Sequence, residues 1–307
     1  MRRAYILLFC IAAGVASPVA AQQPGVSDKL QPYIGCINRL SERTFSSQER
    51  YNSWVGKAGP TGRERIIYGL YTIYDTKDCR DNVARIESAP PALPELEKAG
   101  ADYVAAVTAI EPLLKEADDY YDQKNYLDDK MAKGRALHPK LVAAWDAFGK
   151  ADRSLRDNVQ RLNDTVQAEQ LAAIEQSEGR KMRWNVLTVM AKAKALQRVE
   201  YGDQAKMNLG DVTPALDAYE AAVGGLEKSA ADNPQEKVGS FFVGAAKSYL
   251  GSAKGLMRRV RDKTPYSTGD RMILSAQGGG WMVDGSPPRL LKDYNALIDA
   301  YNRGPGI

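Results

Sequence analysis

Histidine is almost missing from this chain: among 307 residues only His138 occurs, in Leu137-His138-Pro139. One imidazole cannot supply the several ligands of a zinc site, and neither Cys36 nor Cys79 lies at ligand spacing from it. A Ser or Cys nucleophile is left with almost no choice of general base. Gly-x-Ser-x-Gly and His-Glu-x-x-His do not occur, and Gly278-Gly279-Gly280 lacks the following Lys-Ser or Lys-Thr of a phosphate cradle. Neither metal nor cofactor is expected. Pro139 places His138 at an expected helix boundary.

An excess of charge of one sign is missing too. Lys and Arg number 42 against 38 Asp and Glu, a formal net charge of +4, and nothing in that balance calls for nucleic acid. Long apolar runs are confined to the start, where Arg2 and Arg3 precede a run from Ala4 to Val15 and small residues end at Val19-Ala20-Ala21. That is the three-part pattern of a secretory leader, residues 1–21, with cleavage expected after Ala21. The run falls far short of the ~20 residues that cross a bilayer. No later stretch is long and apolar enough to span one, so the mature chain is expected to be soluble, periplasmic or secreted, with no transmembrane helix. A lipid anchor would need Cys at the cleavage point, where Gln22 stands; Cys10 lies inside the apolar run.

Two cysteines survive cleavage, Cys36 and Cys79. In an oxidising compartment such a pair reads as a disulfide rather than as two free thiols. Closing a loop of this length stabilises a fold by roughly 3 to 4 kcal/mol in the chain-entropy model.

The rest of the chain is dominated by helical periodicity. Ser27 can cap a helix carrying Leu30, Tyr33, Ile34, Ile37 and Leu40. Ile67, Leu70, Tyr71 and Tyr74 also fall on one helical face, although their β-branched and aromatic character leaves a short strand open. Pro94 suits a first helical turn, and Pro112 further along predicts a kink or break. Leu141, Trp145, Phe148, Asp152, Leu155, Val159, Leu162 and Val166 recur at steps of four and three, the seam of a long helix. Asp152 is its one polar member and needs a partner, with Lys150, Arg153 and Arg156 close in sequence.

Gly179 interrupts the pattern before Met182. Thr213 and Pro214 read as the cap and first residue of a later helix, and Asn233-Pro234 precedes another, Glu236 to Asp262. In that last helix Gly244, Gly251 and Gly255 suggest a close backbone. Lys263 to Pro288 reads as the longest irregular stretch, and a final helix carries Leu290 to Tyr301.

Two groups of residues are candidate contact sites. Asp118, Asp119, Tyr120, Tyr121, Asp122, Tyr126, Asp128 and Asp129 combine carboxylates, which can hold a cation or hydroxyl-rich ligand, with tyrosine faces for stacking. The competing reading is a helix end whose acids face water while its tyrosines cover a neighbouring helix. Trp281 and Met282 either offer an apolar contact to a partner or fold back to cap the bundle.

Tyr33-Ile34-Gly35-Cys36-Ile37-Asn38-Arg39-Leu40, Gly59-Pro60-Thr61-Gly62 with Tyr68-Gly69-Leu70-Tyr71, the stretch from Tyr120 to Gly134, and the end from Tyr294 to Tyr301 resemble the YiiG-like family. That is a group of exported bacterial proteins whose shared domain has no assigned function. Members are often lipoproteins, and Gln22 at the expected cleavage point is where this chain departs.

The expectation is an all-α bundle of about six to eight helices with one disulfide. Residues 22–307 are expected to form a single domain that two helical halves can make up. The function expected is a non-enzymatic envelope binding or interaction module whose partner is an envelope protein or small ligand. The alternatives are a helical hydrolase acting on cell-wall material and a structural bundle that self-associates.

Overall fold

The computed structural model describes residues 25–200, 207–234, 240–276 and 278–304; the expected leader and its expected cleavage point lie outside them. Nine α-helices and no strand occur among the described residues, which bears out the all-α reading. The chain divides at residue 166 into two compact units.

The first unit begins with α1 (Val26–Asn52), which buries Leu30, Tyr33, Ile34, Ile37 and Leu40 as the spacing predicts. Its cap lies earlier than Ser27: the Gly25 N–H donates to Asp28 Oδ2 at 3.1 Å. Helix α2 (Lys77–Glu87) carries Cys79, which is bonded to Cys36 of α1 as expected. Helix α3 (Pro94–Asp122) starts at Pro94 and meets α1 closely: a β-carbon on Gly100 would lie 2.1 Å from the Tyr33 ring. The break expected at Pro112 is absent, and α3 runs through it. Helix α4 (Ala132–Glu178) likewise runs through Pro139, so His138 is not at a helix boundary. Packing of the buried faces outweighs the one hydrogen bond that each interior proline removes.

The α4 seam is buried at Leu141, Trp145, Phe148, Asp152, Leu155 and Val159, while Leu162 and Val166 are half-buried. Asp152 receives a hydrogen bond from Ser41 Oγ of α1 at 2.6 Å and from Arg156 Nε at 2.8 Å. Ser41 also meets the Tyr103 hydroxyl at 2.9 Å. Of the three cations near it in sequence, Arg156, one turn along the helix, completes the carboxylate. A second buried charge holds the link between α2 and α3. The Lys29 ammonium lies at 3.2, 2.6 and 2.8 Å from the carbonyl oxygens of Glu87, Ala89 and Pro91, and it pairs with Glu97.

The helix expected over Ile67 to Tyr74 is not formed; residues 53–76 are irregular and partly extended. Gly62 and Gly69 there have φ of 81° and 64°, left-handed values that end a helix. Leu70 is buried, with Ile67 and Ile73 packed beside it. That three-residue spacing fits an extended chain of three residues per turn as well as it fits a helix, which is why the pattern misled.

In the second unit α4 ends at Glu178, with Gly179 at φ 79° where the interruption is expected, and α5 (Met182–Glu200) follows. Helix α6 (Leu209–Asp232) starts before Thr213: Asn208 is its cap, its side chain accepting from the Gly210 N–H at 2.9 Å, and Pro214 lies inside the helix. Helix α7 (Ser240–Arg261) buries Phe242, Ala246, Tyr249, Ala253 and Leu256. Of its three glycines only Gly255 meets another backbone. A β-carbon there would be 3.6 Å from Gly285, whereas Gly244 and Gly251 face open space.

The stretch from Lys263 to Pro288 is more ordered than expected. It contains α8 (Thr268–Ser275), capped by Ser267, and a 3-10 turn over Gly280–Met282, before α9 (Pro287–Asn302) closes the unit. Tyr219, Tyr249 and Tyr294 form the aromatic centre of this core, with ring centroids 5.2 and 5.3 Å apart in sequence order. Asp293 of α9 is buried and is bonded by Ser252 of α7 and by Arg289 Nε at 2.8 Å.

Candidate functional site

Two of the motifs that carry the family resemblance meet in the first unit. The segment from Gly59 to Tyr74 runs over the turn that joins α3 to α4. A β-carbon on Gly59 would stand 3.0 Å from the His138 ring, one on Gly62 3.4 Å from Met131, and one on Gly69 3.5 Å from Tyr121. All three glycines have positive φ, so close approach and backbone conformation both demand them.

Under that segment the tyrosines of the candidate cluster are core residues. Tyr120 and Tyr121 are buried, 4.9 Å apart between ring centroids, and half-buried Tyr126 packs on both. Tyr121 also meets Trp54 at 5.1 Å, and Tyr51 meets Trp145 at 5.4 Å. Burial pushes the Tyr120 and Tyr121 hydroxyls well above the usual phenol range. His138 belongs to the same cluster: its Nδ1 is 3.1 Å from the Tyr51 hydroxyl and its Nε2 3.3 Å from the Lys57 carbonyl. Both ring nitrogens are thereby engaged within the fold.

The carboxylates divide. Asp129 caps α4, accepting from the N–H groups of Lys133 at 2.9 Å and Ala132 at 3.2 Å and from the Tyr120 hydroxyl at 2.8 Å. The Lys133 N–H foremost, with Tyr120 and Ala132, holds its carboxyl below the ordinary value. Asp118 is shifted the other way by partial burial and by Asp122 and Asp119. Asp122 and Asp128 point to solvent. No group of three His, Cys, Asp or Glu side chains that could hold a metal ion occurs among the described residues. Asp122 and Asp128 are thus the solvent-facing acids of the cluster with no ion pair among the described residues, while Tyr120, Tyr121 and Asp129 build the turn that presents them.

One feature of this surface escaped the reading of the sequence. The extended segment lies antiparallel along α1 and is fixed by side chains of that helix and by Trp54 just beyond its end. Trp54 Nε1 donates to the Gly69 carbonyl at 2.8 Å, Arg50 Nε to Tyr68 at 2.9 Å, Ser47 Oγ to Tyr71 at 2.6 Å and Arg43 Nε to Thr72 at 2.9 Å. The guanidinium groups also stack on the tyrosines: Arg50 on Tyr68 and Tyr71, Arg43 on Tyr71 at 4.2 Å, and Arg39 on Tyr74 at 5.5 Å. Seven residues of helix and three of extended chain both advance about 10 Å, which sets the register between Arg43 and Arg50 and the tyrosine series. The signal was present as tyrosines at 68, 71 and 74 and arginines at 39, 43 and 50. It is visible only once the segment is known to be extended.

The other candidate pair lies in the second unit. Trp281 and Met282 form the 3-10 turn and are 42% and 53% exposed, with Lys292 Nζ 4.2 Å from the Trp281 ring.

A family model described as "Protein of unknown function (DUF3829)" matches residues 26–303. Over 297 residues the chain is 34% identical to the "Uncharacterized protein YiiG" of Escherichia coli (strain K12), an alignment covering 94% of this chain and 81% of that protein. No solved structure matches. The chain therefore belongs to the DUF3829 family, in agreement with the resemblance carried by its motifs.

Proposed function

We propose that this DUF3829 protein is an exported, non-enzymatic binding module of the bacterial envelope, and that it engages a partner protein through the arginine and tyrosine ladder along α1, with Asp122 and Asp128 on the neighbouring turn. The observation that carries this reading is the exposure of Tyr68 and Tyr74, 48% and 58%, in a segment whose backbone and rings are already fixed by α1. Tyrosine and arginine dominate protein-interaction hot spots because they offer large contact area with few torsions to freeze. Here part of that freezing is done before any partner arrives, which lowers the entropic cost of association. The leader pattern of residues 1–21 supports export, and the exported product is expected to begin at Gln22.

The test is capture from envelope extract by the purified protein, by Tyr68→Ala/Tyr74→Ala and by Asp122→Ala/Asp128→Ala. These side chains face solvent, so each variant is expected to melt within about 3 °C of wild type. Loss of a captured protein by the tyrosine variant supports the reading. Equal capture by both variants removes the surface, and no capture by wild type removes the interaction itself.

A further inference from the structure

The second unit carries an apolar surface of a different kind, formed by α8 and the 3-10 turn. Helix α8 has no buried residue, and Met272 is 69% exposed. Met282 and Trp281 of the turn are exposed alongside it. The two pieces are packed into one: a β-carbon on Gly280 would be 3.5 Å from Leu274 and 3.0 Å from Pro288, and one on Gly279 would be 3.4 Å from Met282 Cε. Small residues at 279 and 280 let the turn sit down on α8 and α9 while its two large side chains face outward.

The charge in this stretch of chain is positive in balance. Residues 258–293 contain seven Arg and Lys and four Asp. Every one of the four acids is engaged: Asp262 with Arg261, Asp270 with the Ser267 cap, Asp284 with Arg289 at 3.8 Å, and Asp293 with Arg289 and Ser252. Arg258, Lys263 and Lys292 have no ion pair among the described residues, and Lys292 lies over the Trp281 ring. Lys292 thus stands directly over an exposed Trp, and Lys263 and Arg258 precede α8 in the same basic stretch of chain as the exposed Met272 and Met282.

We propose that α8 and the 3-10 turn dock this protein onto an anionic lipid surface, with Met272, Trp281 and Met282 entering the headgroup region and Lys263, Lys292 and Arg258 facing the phosphates. Shallow apolar insertion together with basic residues is the chemistry of interfacial attachment, in which neither contribution suffices alone. Flexible methionines and an indole suit a disordered, partly apolar boundary. No helix of the described residues is long and apolar enough to cross a membrane, so attachment here is peripheral. This surface is separate from the ladder of the first unit, and the two readings stand or fall independently.

The experiment is sedimentation of the purified protein with vesicles of phosphatidylcholine alone and with added phosphatidylglycerol, at low and high salt, with tryptophan emission recorded. Binding is expected only to the anionic vesicles. It should weaken about fivefold for each of Lys263→Gln and Lys292→Gln and roughly tenfold or more for Met272→Ser/Met282→Ser. Emission should shift to the blue in wild type through Trp281, the most exposed of the four tryptophans. Tyr68→Ala/Tyr74→Ala should bind vesicles as wild type does. Failure to sediment with anionic vesicles overturns the proposal, and so does binding that the methionine variant, shown folded by its helical circular dichroism, leaves unchanged. A Trp281→Phe protein that keeps the blue shift also overturns it.

Discussion

The two units of the chain place a buried carboxylate in the same way and differ in almost everything else that holds them. In the first, Asp152 takes a serine from a facing helix and an arginine four residues along its own; in the second, Asp293 does the same with Ser252 and Arg289. Beyond that shared device the first unit has a disulfide, a buried lysine bonded to three carbonyls and a carboxylate, and a row of side-chain hydrogen bonds from α1. The described residues of the second have no disulfide, and their core is helix packed on helix. The difference follows from what each must hold. An extended segment of some two dozen residues cannot satisfy its own backbone, so the first unit supplies fixed partners, whereas helices satisfy theirs internally.

The largest expected effect breaks the first unit's advantage. Lys29→Met leaves Glu97 without its ammonium and three carbonyls without a donor, a loss of about 4 kcal/mol by comparison with other severed buried pairs. The Leu93 N–H and the Lys29 ammonium together hold the Glu97 carboxyl below its ordinary value, which marks how directly the two ends of this link depend on each other. Native-state hydrogen exchange is the suitable measurement. Amides of α1 and α3 should exchange faster in the variant, and those of α6 and α7 should not. Equal acceleration in both units would show that they unfold as one.

The next effect sharpens the contrast from the other side. Glu200, at the end of α5, is buried with no hydrogen-bond partner on either carboxyl oxygen among the described residues, and burial pushes its value up from 4.5 to about 8. Tyr249 of α7 is close enough to feel its charge. Between pH 4.5 and 8 the folded chain keeps a proton that the unfolded chain has lost, so this contribution to stability is full at low pH and falls as pH rises. The second unit should lose roughly 3 kcal/mol between pH 5 and pH 9, somewhat less than a rigid site would because the group can relax toward water. Glu200→Gln should flatten that slope and leave the first unit's melting profile unchanged; a slope that persists in the variant would assign it to other groups.

How much of this was legible in the sequence depended on whether a residue's neighbours were local. The α4 seam, the Pro94 start of α3 and the Gly179 break are set by spacing within a turn or two and were read correctly. Pairing of Cys36 with Cys79 followed from the third cysteine, Cys10, lying inside the expected leader. Interior Pro112, Pro139 and Pro214 were misread because local cost was weighed without the tertiary packing that offsets it. For the candidate cluster, composition located the right turn. Which of its members are core and which are free, Tyr120 against Asp122, was settled by the segment 59–74 arriving from elsewhere in the chain. Lys29 gave no local sign at all, since every acceptor of its ammonium lies at least 58 residues away.

The smallest effect tests whether the ladder is a fixed surface or a loose strap, and so whether the first unit's extra bonds serve the exposed tyrosines. Arg43→Lys keeps the charge while removing the planar group that stacks on Tyr71 and the directed bond to the Thr72 carbonyl. One such contact at a partly exposed site contributes about 1 kcal/mol, too little to shift global unfolding much. It is enough to raise the open population of a segment held by a handful of bonds several-fold. Limited proteolysis should therefore cut faster between Arg63 and Tyr74 in the variant, with the rate of loss of α6 and α7 unaltered. If cutting does not accelerate, the remaining bonds from Ser47, Arg50 and Trp54 hold the segment without Arg43, and the stacking serves to orient Tyr71 rather than to anchor the chain.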